Sequence, residues 1–217
     1  FGAGGDYDLG EREILERATG ERYSLRGTAL LGAHNELNAA AAIAAARAVG
    51  AAPPAVRAGL EAFRPLPHRM ALVAEVDGVR YYDDSKGTNV GAAVTALRGL
   101  PEARVVLIAG GRDKLGAYDD LAAALADRGR AVVLIGEAAD RIAAAVRDAV
   151  PVVRAGDMDA AVAAAARLAR PGDAVLLSPA CSSFDMFRSY ADRGERFAAA
   201  VRPLAATARP AGPSGGA

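Results

Sequence analysis

The chain has 217 residues, of which 52% are hydrophobic and 5% aromatic, and it contains no Trp. Its 26 Lys and Arg residues balance its 26 Asp and Glu residues, so neither the basic surface of a nucleic-acid binder nor an acidic tail is indicated. The single Cys, Cys181, excludes an internal disulfide framework and a multi-Cys zinc site, and we expect it to be a buried small residue. The apolar runs are too short to span a bilayer and the first residues lack signal-peptide regions, so we expect a cytoplasmic protein.

The first part of the chain is predicted to be mainly helical. Residues 1–27 are polar and Gly-rich, with one short strand over 21–25. An Ala-rich stretch over 35–49 predicts a long helix, because Ala has the highest helix propensity. A second helix is predicted from Pro53 to about residue 63, since Pro is favoured in the first turn of a helix.

A domain boundary is predicted at residues 64–67, whose sequence RPLP disfavours a continuous helix. We therefore expect one domain over 1–65 and a second over 66–206. Residues 207–217 are rich in Pro, Gly and Ala and are expected to be disordered. The 64–67 segment is also the candidate hinge between the two domains.

The second domain alternates strand and helix patterns. Two apolar runs flank Asp77-Gly78, which is a strong signal for a two-residue hairpin. Strands are predicted over 72–76, 79–83, 105–109, 132–135, 152–154 and 175–178, and helices over 90–98, 118–127, 137–148, 158–170 and 185–200. The strand runs are continuously apolar, as expected for strands buried on both faces. The pattern predicts an α/β fold with a mostly parallel sheet, helices on both faces and the hairpin as an antiparallel edge.

Three polar turns follow strands of this predicted sheet, over residues 84–89, 110–114 and 178–184. The first, DDSKGTNVG, carries Lys86 and opens a helix, an arrangement that presents a cation and backbone N–H groups to an anion. In the second, Gly110-Gly111 permits close backbone approach to a ligand. Ligands of open α/β sheets bind beyond the carboxyl ends of the strands, so the three turns together indicate one site. The alternative is that strand ends need turn residues in any case.

Single residues also have two interpretations each. Lys114 either supplies a cation to a ligand carboxylate or is a solvated surface Lys, and Ser183 either donates its hydroxyl to a ligand or is the N-cap of the final helix. Arg69 reaches a phosphate or bridges two domains. Asn35 and Asn38 lie on one helix face, where their amides suit a purine or ribose, or else cap the helix.

Several common sites are absent from the sequence. It contains no G-x-x-x-x-G-K-[ST] loop for a triphosphate, no G-x-G-x-x-G between a strand and a helix, and no G-x-S-x-G elbow. Its two His residues, His34 and His68, are too few for a His-based zinc site, and no metal ligands are predicted. A dinucleotide-dependent oxidoreductase is therefore disfavoured.

Five segments, taken in order, resemble the Mur ligase family, and within it the ligases that add D-glutamate. They are GAHNELNAAAAIAAA, LPHRM, DDSKGTNVGAAVTAL, VVLIAGGRDK and VLLSPACSSFDMF followed by RG, and the similarity runs over about residues 30–201. The resemblance implies that residues 1–65 are the helical end of a central ATPase domain and that residues 66–206 are a Rossmann-like carboxyl-terminal domain. The family's UDP-binding domain, phosphate loop and magnesium ligands have no counterpart in the sequence of this chain.

The resemblance also implies roles for individual residues. It implies that five residues contact the nucleotide: Asn35 and Asn38 at the adenine, His68 and Arg69 between the domains, and Asp84 near the ribose. It implies that the residues around D-glutamate and the acyl group are Lys86, Thr88, Asn89, Lys114, Ser183, Phe184 and Tyr190. Lys86 and Lys114 are the implied catalytic cations. Two residues depart from the family pattern: Gly87 replaces a common Ala, which we expect to be a mild change, and Tyr190 replaces a common Phe.

The reaction implied is the ATP-dependent, ADP-forming addition of D-glutamate to UDP-N-acetylmuramoyl-L-alanine through an acyl phosphate, in peptidoglycan precursor synthesis. ATP and Mg²⁺ are the implied cofactors, and a monomer without nucleic-acid or membrane partners is expected. Two alternatives stay open: another Mur-type or folylpolyglutamate ligase, and a non-catalytic module that binds a nucleotide or an amino acid. The missing phosphate loop favours the second alternative.

Overall fold

A computed structural model describes residues 5–28, 30, 33–113 and 115–207 of the chain. The backbone divides into two compact units, Phe1–Leu66 and Pro67–Ala217. The tail predicted to be disordered lies, from residue 208 onward, outside the described residues. No described helix is long and apolar enough to cross a membrane.

The first unit packs a small antiparallel sheet against two helices. The strands are β1 (Tyr7–Gly10), β2 (Glu13–Glu16) and β3 (Glu21–Ser24), in the order β1-β2-β3, and the helices are α1 (Ala33–Ala48) and α2 (Pro53–Ala62). The sequence predicted β3 and both helices but not β1 or β2. These two strands are only four residues long, and Ile14 is the residue that they bury completely. β2 pairs with both β1 and β3, and this pairing, rather than a sequence pattern, defines the two strands.

The second unit contains a six-stranded sheet in the order β4-β5-β9-β6-β7-β8. The strands are β4 (Ala71–Val76), β5 (Val79–Asp83), β6 (Val105–Gly110), β7 (Gly129–Ile135), β8 (Val152–Arg154) and β9 (Ala174–Leu177). β4 pairs antiparallel with β5 through the Asp77-Gly78 turn, and every other pair is parallel. The predicted α/β fold with an antiparallel edge hairpin is confirmed.

Among the described residues, five helices cover the two faces of this sheet. They are α3 (Val90–Gly99), α4 (Asp119–Arg128), α5 (Ala139–Val146), α6 (Met158–Leu168) and α7 (Tyr190–Thr207). One face buries Ile108 and Val133 against α6 and α7, where Phe197 is fully buried. The alternate strand positions are equally buried and face the opposite side, where α4 and α5 pack against β7. Strands buried on both faces explain why their sequences are continuously apolar.

The start of α7 differs from the sequence prediction. A helix was predicted over 185–200, but α7 begins at Tyr190 and continues to Thr207. Residues before it form a turn in which the Phe187 N–H donates to the Ser183 carbonyl. The helix begins where Ser189 accepts the Asp192 N–H on its hydroxyl, 3.1 Å away, which is the geometry of an N-cap. Ser183 is therefore not the cap of this helix.

Candidate functional site

The backbone N–H groups of the turn after β5 donate hydrogen bonds that fix its conformation. The Ser85 N–H donates to Asp83 Oδ1 over 2.9 Å, and the Lys86 N–H donates to the His68 carbonyl over 3.0 Å. The next two amides also donate to carbonyls of the same turn. The N–H groups of residues 85–88 are therefore engaged within the protein, and the cation that the turn presents is the partly buried Lys86 side chain.

Asp84 lies buried between β5 and β9, and its Oδ2 accepts the Ser178 hydroxyl over 2.7 Å. Burial raises the pKa of Asp84 to about 6, although the Ser178 hydrogen bond and the charge of Arg69 act in the opposite direction. A Cβ at Gly87 would lie 2.5 Å from both Asp84 Oδ2 and Ser178 Oγ. An Ala at this position would therefore require these two side chains to shift.

His68 and Asp83 form a second pair beside Asp84. His68 Nδ1 and Asp83 Oδ2 are 2.7 Å apart, with side-chain exposures of 15% and 5%. The His68 backbone has a φ of 63°, in the left-handed region. A Cβ at Gly194 of α7 would lie 2.2 Å from His68 Nδ1, so only Gly lets the helix approach the pair this closely. The exposed Arg69 follows His68 at the same edge of the sheet.

The loop after β9 is tied to the strands on both of its sides. The Ala180 N–H donates to the Gly87 carbonyl over 3.0 Å, and the Gly110 N–H donates to the Pro179 carbonyl over 2.8 Å. Ser183 is 2% exposed, and within the described part of the chain its hydroxyl makes no hydrogen bond. With the N-cap role excluded, this hydroxyl remains a candidate donor to a ligand.

The exposed residue of this loop is Phe184, which is 65% accessible although it is a large apolar side chain. Cys181 is buried, as predicted, and burial raises the pKa of its thiol. The thiol lies 3.4 Å from the Tyr118 hydroxyl. A buried, protonated thiol is not a nucleophile, so the loop offers hydroxyl and apolar contacts rather than sulfur chemistry.

The Gly-rich turn after β6 requires both of its glycines. Gly110 and Gly111 have φ values of 114° and 130°, and a Cβ on Gly111 would lie 2.3 Å from the Ser182 carbonyl oxygen. Arg112 then donates its N–H to that same carbonyl over 2.9 Å. The turn is thus pressed against the loop after β9. Lys114, the predicted cation of this turn, lies outside the described residues.

Lys86 and Tyr190 are in direct contact. The Lys86 ammonium lies 4.0 Å from the centroid of the Tyr190 ring, which is cation–π geometry. Tyr190 is 37% exposed, and its ring also meets the His68 ring edge-on, with centroids 6.1 Å apart. The structure therefore brings a cation, a half-exposed aromatic ring and an imidazole together at the carboxyl edge of the sheet.

The remaining predicted residues are placed as follows. Thr88 is partly buried in the turn after β5, and Asn89 is the N-cap of α3, since its Oδ1 accepts the Ala92 N–H over 2.8 Å. In the first unit, Asn35 and Asn38 share one face of α1, where their amides are 3.4 Å apart. Both lie inside the helix, which begins at Ala33, so helix capping does not explain them.

Arg193 is a residue that sequence reasoning missed. It is the largest fully buried side chain of the described residues, and it donates to Ser85 and to the Cys181 carbonyl. The signal in the sequence is the RG pair at 193–194, which ends the last of the five segments that resemble the family. A charged residue in a helix predicts a solvated face, and only the packed structure shows that this Arg points inward.

The fold and the clustered polar turns define an open α/β domain with a candidate ligand site at the carboxyl ends of β5, β6 and β9. Comparison with known families identifies the family of this domain. The family described as "Mur ligase, glutamate ligase domain" matches residues 68–181, which is more than half of the chain. The chain belongs to the Mur ligase family.

Relatives and solved structures agree with this assignment. The chain is 52% identical over 192 residues to a UDP-N-acetylmuramoylalanine--D-glutamate ligase of Nitrosospira multiformis, covering 88% of this chain and 40% of the relative. A MurF ligase from Thermotoga maritima in complex with ADP superposes with a TM-score of 0.61 at 19% identity, covering 94% of this chain and 47% of that one. A folylpolyglutamate synthase of Mycobacterium tuberculosis gives a TM-score of 0.62 at 19% identity, covering 91% and 46%. The two structural matches show the fold alone.

The chain spans less than half the length of the curated relatives that it matches. These relatives, 46–53% identical, bear the same name. The match therefore concerns one part of a longer kind of protein.

Proposed function

We propose that the chain is the carboxyl-terminal part of an ATP-dependent ligase that joins D-glutamate to UDP-N-acetylmuramoyl-L-alanine. The observation that carries the proposal is the gathering of Lys86 and Ser183 at one sheet edge, in segments that match relatives bearing that name. D-Glutamate has two carboxylates, so its site needs cations and hydroxyl donors, and these two residues supply one of each.

The acceptor amino acid is held by the residues at this edge. The Lys86 ammonium compensates one carboxylate of D-glutamate, Lys114 compensates the other, and the hydroxyls of Ser183 and Thr88 donate to carboxylate oxygens. The half-exposed ring of Tyr190 fixes the direction of the Lys86 side chain and packs on the carbon chain of the ligand. The exposed Phe184 and the neighbouring Asn89 complete the rim.

The chemistry proposed is acyl-phosphate formation followed by amide formation. ATP transfers its terminal phosphoryl group to the alanyl carboxylate of the precursor, and ADP leaves. The D-glutamate amine attacks the acyl carbon, the C–N bond forms, the bond from that carbon to the phosphate oxygen breaks, and the amine loses a proton. Lys86 and Lys114 stabilise the oxyanion charge that develops, and positioning supplies most of the rate gain.

The nucleotide is assigned to a second set of residues. Asn35 and Asn38 of α1 present amides to the adenine, Asp84 accepts from ribose hydroxyls, and His68 and Arg69 lie beside the phosphates. The 64–67 segment is the proposed hinge, since domain closure in an enzyme of this kind excludes water that would hydrolyse an acyl phosphate. Mg²⁺ has no ligand set among the described residues, so no step is assigned to it.

Substitution of Lys114 in the full-length protein tests the proposal. We expect Lys114→Ala to raise the KM for D-glutamate far more than the KM for ATP, because Lys114 contacts the amino acid. Loss of one charge-assisted hydrogen bond corresponds to about 1.5–3 kcal/mol. Arg112→Ala is the control, since Arg112 is exposed two residues away and the ion pair of its side chain among the described residues is a long one, 3.8 Å from Glu137.

The same assay separates the alternatives. It measures phosphate release with D-glutamate, L-glutamate, L-alanine and a diamino acid as acceptors. D-Glutamate alone should support turnover. Turnover with another acceptor identifies a different ligase of the family, and equal effects of Lys114→Ala on both KM values contradict the placement of Lys114.

A further inference from the structure

The first turn of α7 faces the turn after β5. Tyr190, Arg193 and Gly194 have the i, i+3, i+4 spacing that puts residues on one side of a helix. The Tyr190 carbonyl accepts the Ser85 hydroxyl over 2.7 Å, and Gly194 leaves space for His68. Between these two contacts lies the side chain of Arg193.

Arg193 joins two of the three turns of the candidate site. Its Nε donates to Ser85 Oγ and its Nη2 to the Ser85 carbonyl, each over 2.9 Å. Its Nη1 and Nη2 both donate to the Cys181 carbonyl over 3.2 Å. Ser85 directly precedes Lys86, and Cys181 lies two residues before Ser183. One side chain thus links the segments that carry the cation and the hydroxyl.

This arrangement is costly for a residue that only fills space. Arg193 is fully buried, and among the described residues it forms no ion pair, so its charge is balanced by carbonyl and hydroxyl oxygens. Burial lowers the pKa of Arg193 to about 10, which still leaves it a cation at neutral pH. Burying a charge costs free energy unless hydrogen bonds compensate it, so a fully buried Arg that is bonded to two separate turns calls for a reason beyond filling space.

We infer that Arg193 is a positioning residue that sets the spacing between Lys86 and Ser183, and through it the affinity for the acceptor amino acid. The inference rests on the proposed function for the identity of that ligand. The planar guanidinium donates to both turns at once with fixed geometry, which an ammonium group does not do. A misplacement of about 1 Å at such a site is enough to reduce activity strongly.

The test compares Arg193→Lys with Arg130→Lys in the full-length protein. Arg130 is the control, because it is a hydrogen-bonded Arg that lies at the opposite, amino-terminal ends of the strands, where it is partly buried and paired with Asp173. We expect Arg193→Lys to raise the KM for D-glutamate by about tenfold or more while the KM for ATP changes by less than about twofold. Arg130→Lys should leave both KM values unchanged. Equal KM values in the two variants overturn the inference.

A milder variant covers the case in which Arg193→Lys does not fold. Ser85→Ala removes one acceptor of Arg193 and the donor to the Tyr190 carbonyl, while the backbone contacts of Arg193 remain. We expect a smaller increase of the KM for D-glutamate with the same selectivity over ATP. An unchanged KM for D-glutamate in Ser85→Ala also contradicts the inference.

Hydrogen exchange of the 217-residue chain gives a readout that does not depend on the ligase reaction. The amides of residues 85–88 are hydrogen-bonded in the turn, and those of β6 are in the central sheet. Arg193→Lys should speed exchange over 85–88 but not over β6, and Arg130→Lys should not affect 85–88. If this holds while the full-length wild type does not use D-glutamate, the proposed function fails and the positioning role stands. Unchanged exchange over 85–88 refutes the positioning role.

Discussion

Asp84 shows how the environment changes the chemistry of one side chain. Its exposure is 8%, and burial raises its pKa to about 6 from an ordinary value of 3.8. Because the folded-state pKa lies above the unfolded-state pKa, the folded state favours the protonated carboxyl. The stability contributed by this group is fully present below pH 3.8 and is lost as the pH rises through about 6.

This pKa predicts a pH dependence that Asp84→Asn removes. Between pH 4 and pH 8, the free energy of unfolding of the wild type should fall relative to that of the variant by up to about 3 kcal/mol. Urea unfolding across this range measures the difference. Ser178, whose hydroxyl bonds Asp84 Oδ2, keeps a polar partner in both proteins. Parallel pH profiles of the two proteins would show that the carboxyl titrates normally.

At the scale of the element, the beginning of α7 separates two serines that look equivalent in sequence. Ser189 accepts the Asp192 N–H and caps the helix, whereas Ser183 lies in the preceding turn with its hydroxyl unbonded among the described residues. The Arg188 N–H also donates to the Asp192 carboxylate over 3.0 Å, which strengthens this start of the helix. One serine therefore serves stability, and the other is available to a ligand.

Substitution of Ser189 should affect stability, whereas substitution of Ser183 should affect the binding of D-glutamate. Ser189→Ala should lower the free energy of unfolding by about 1 kcal/mol, because an unsatisfied N–H replaces the cap. Ser183→Ala should change stability by less than about 0.5 kcal/mol and raise the KM for D-glutamate in the full-length protein. Chemical unfolding and steady-state kinetics on both variants measure this. A large loss of stability in Ser183→Ala would assign that hydroxyl a structural role instead.

At the scale of the whole molecule, the sequence of the chain contains a packed α/β unit but no phosphate loop. The second unit is a well-packed sheet covered by helices on both faces, while the 217 residues contain no G-x-x-x-x-G-K-[ST] sequence. Phosphoryl transfer depends on groups that cradle and neutralise the phosphates, and this loop is the usual one.

We therefore expect the 217-residue chain by itself not to hydrolyse ATP. Release of ADP from the purified chain should equal the buffer background, and the full-length protein with both substrates should give turnover in the same assay. ADP release that follows the chain through successive purification steps would contradict this expectation. Heat-treated chain serves as the control for a contaminating ATPase.

The sequence alone determined the alternating strands and helices of the second unit, the hairpin at Asp77-Gly78 and the three polar turns at one sheet edge. These features depend on short-range patterns: continuous apolar runs, Gly-containing turns and Ala-rich helices. The four-residue strands β1 and β2 were not predictable in this way, since they are defined by the pairing of β2 with β1 and with β3.

Only the tertiary structure decided which polar groups are occupied and which are available. It showed that Arg193 is buried, that Asn89 and Ser189 are helix caps, that the N–H groups after Asp84 are bonded internally, and that Lys86 lies on the Tyr190 ring. These properties depend on partners far away in sequence: 108 residues separate Arg193 from Ser85, and 94 separate Ser178 from Asp84. Local patterns cannot encode such partners, because hydrogen bonds and burial are fixed only when the sheet and helices pack together.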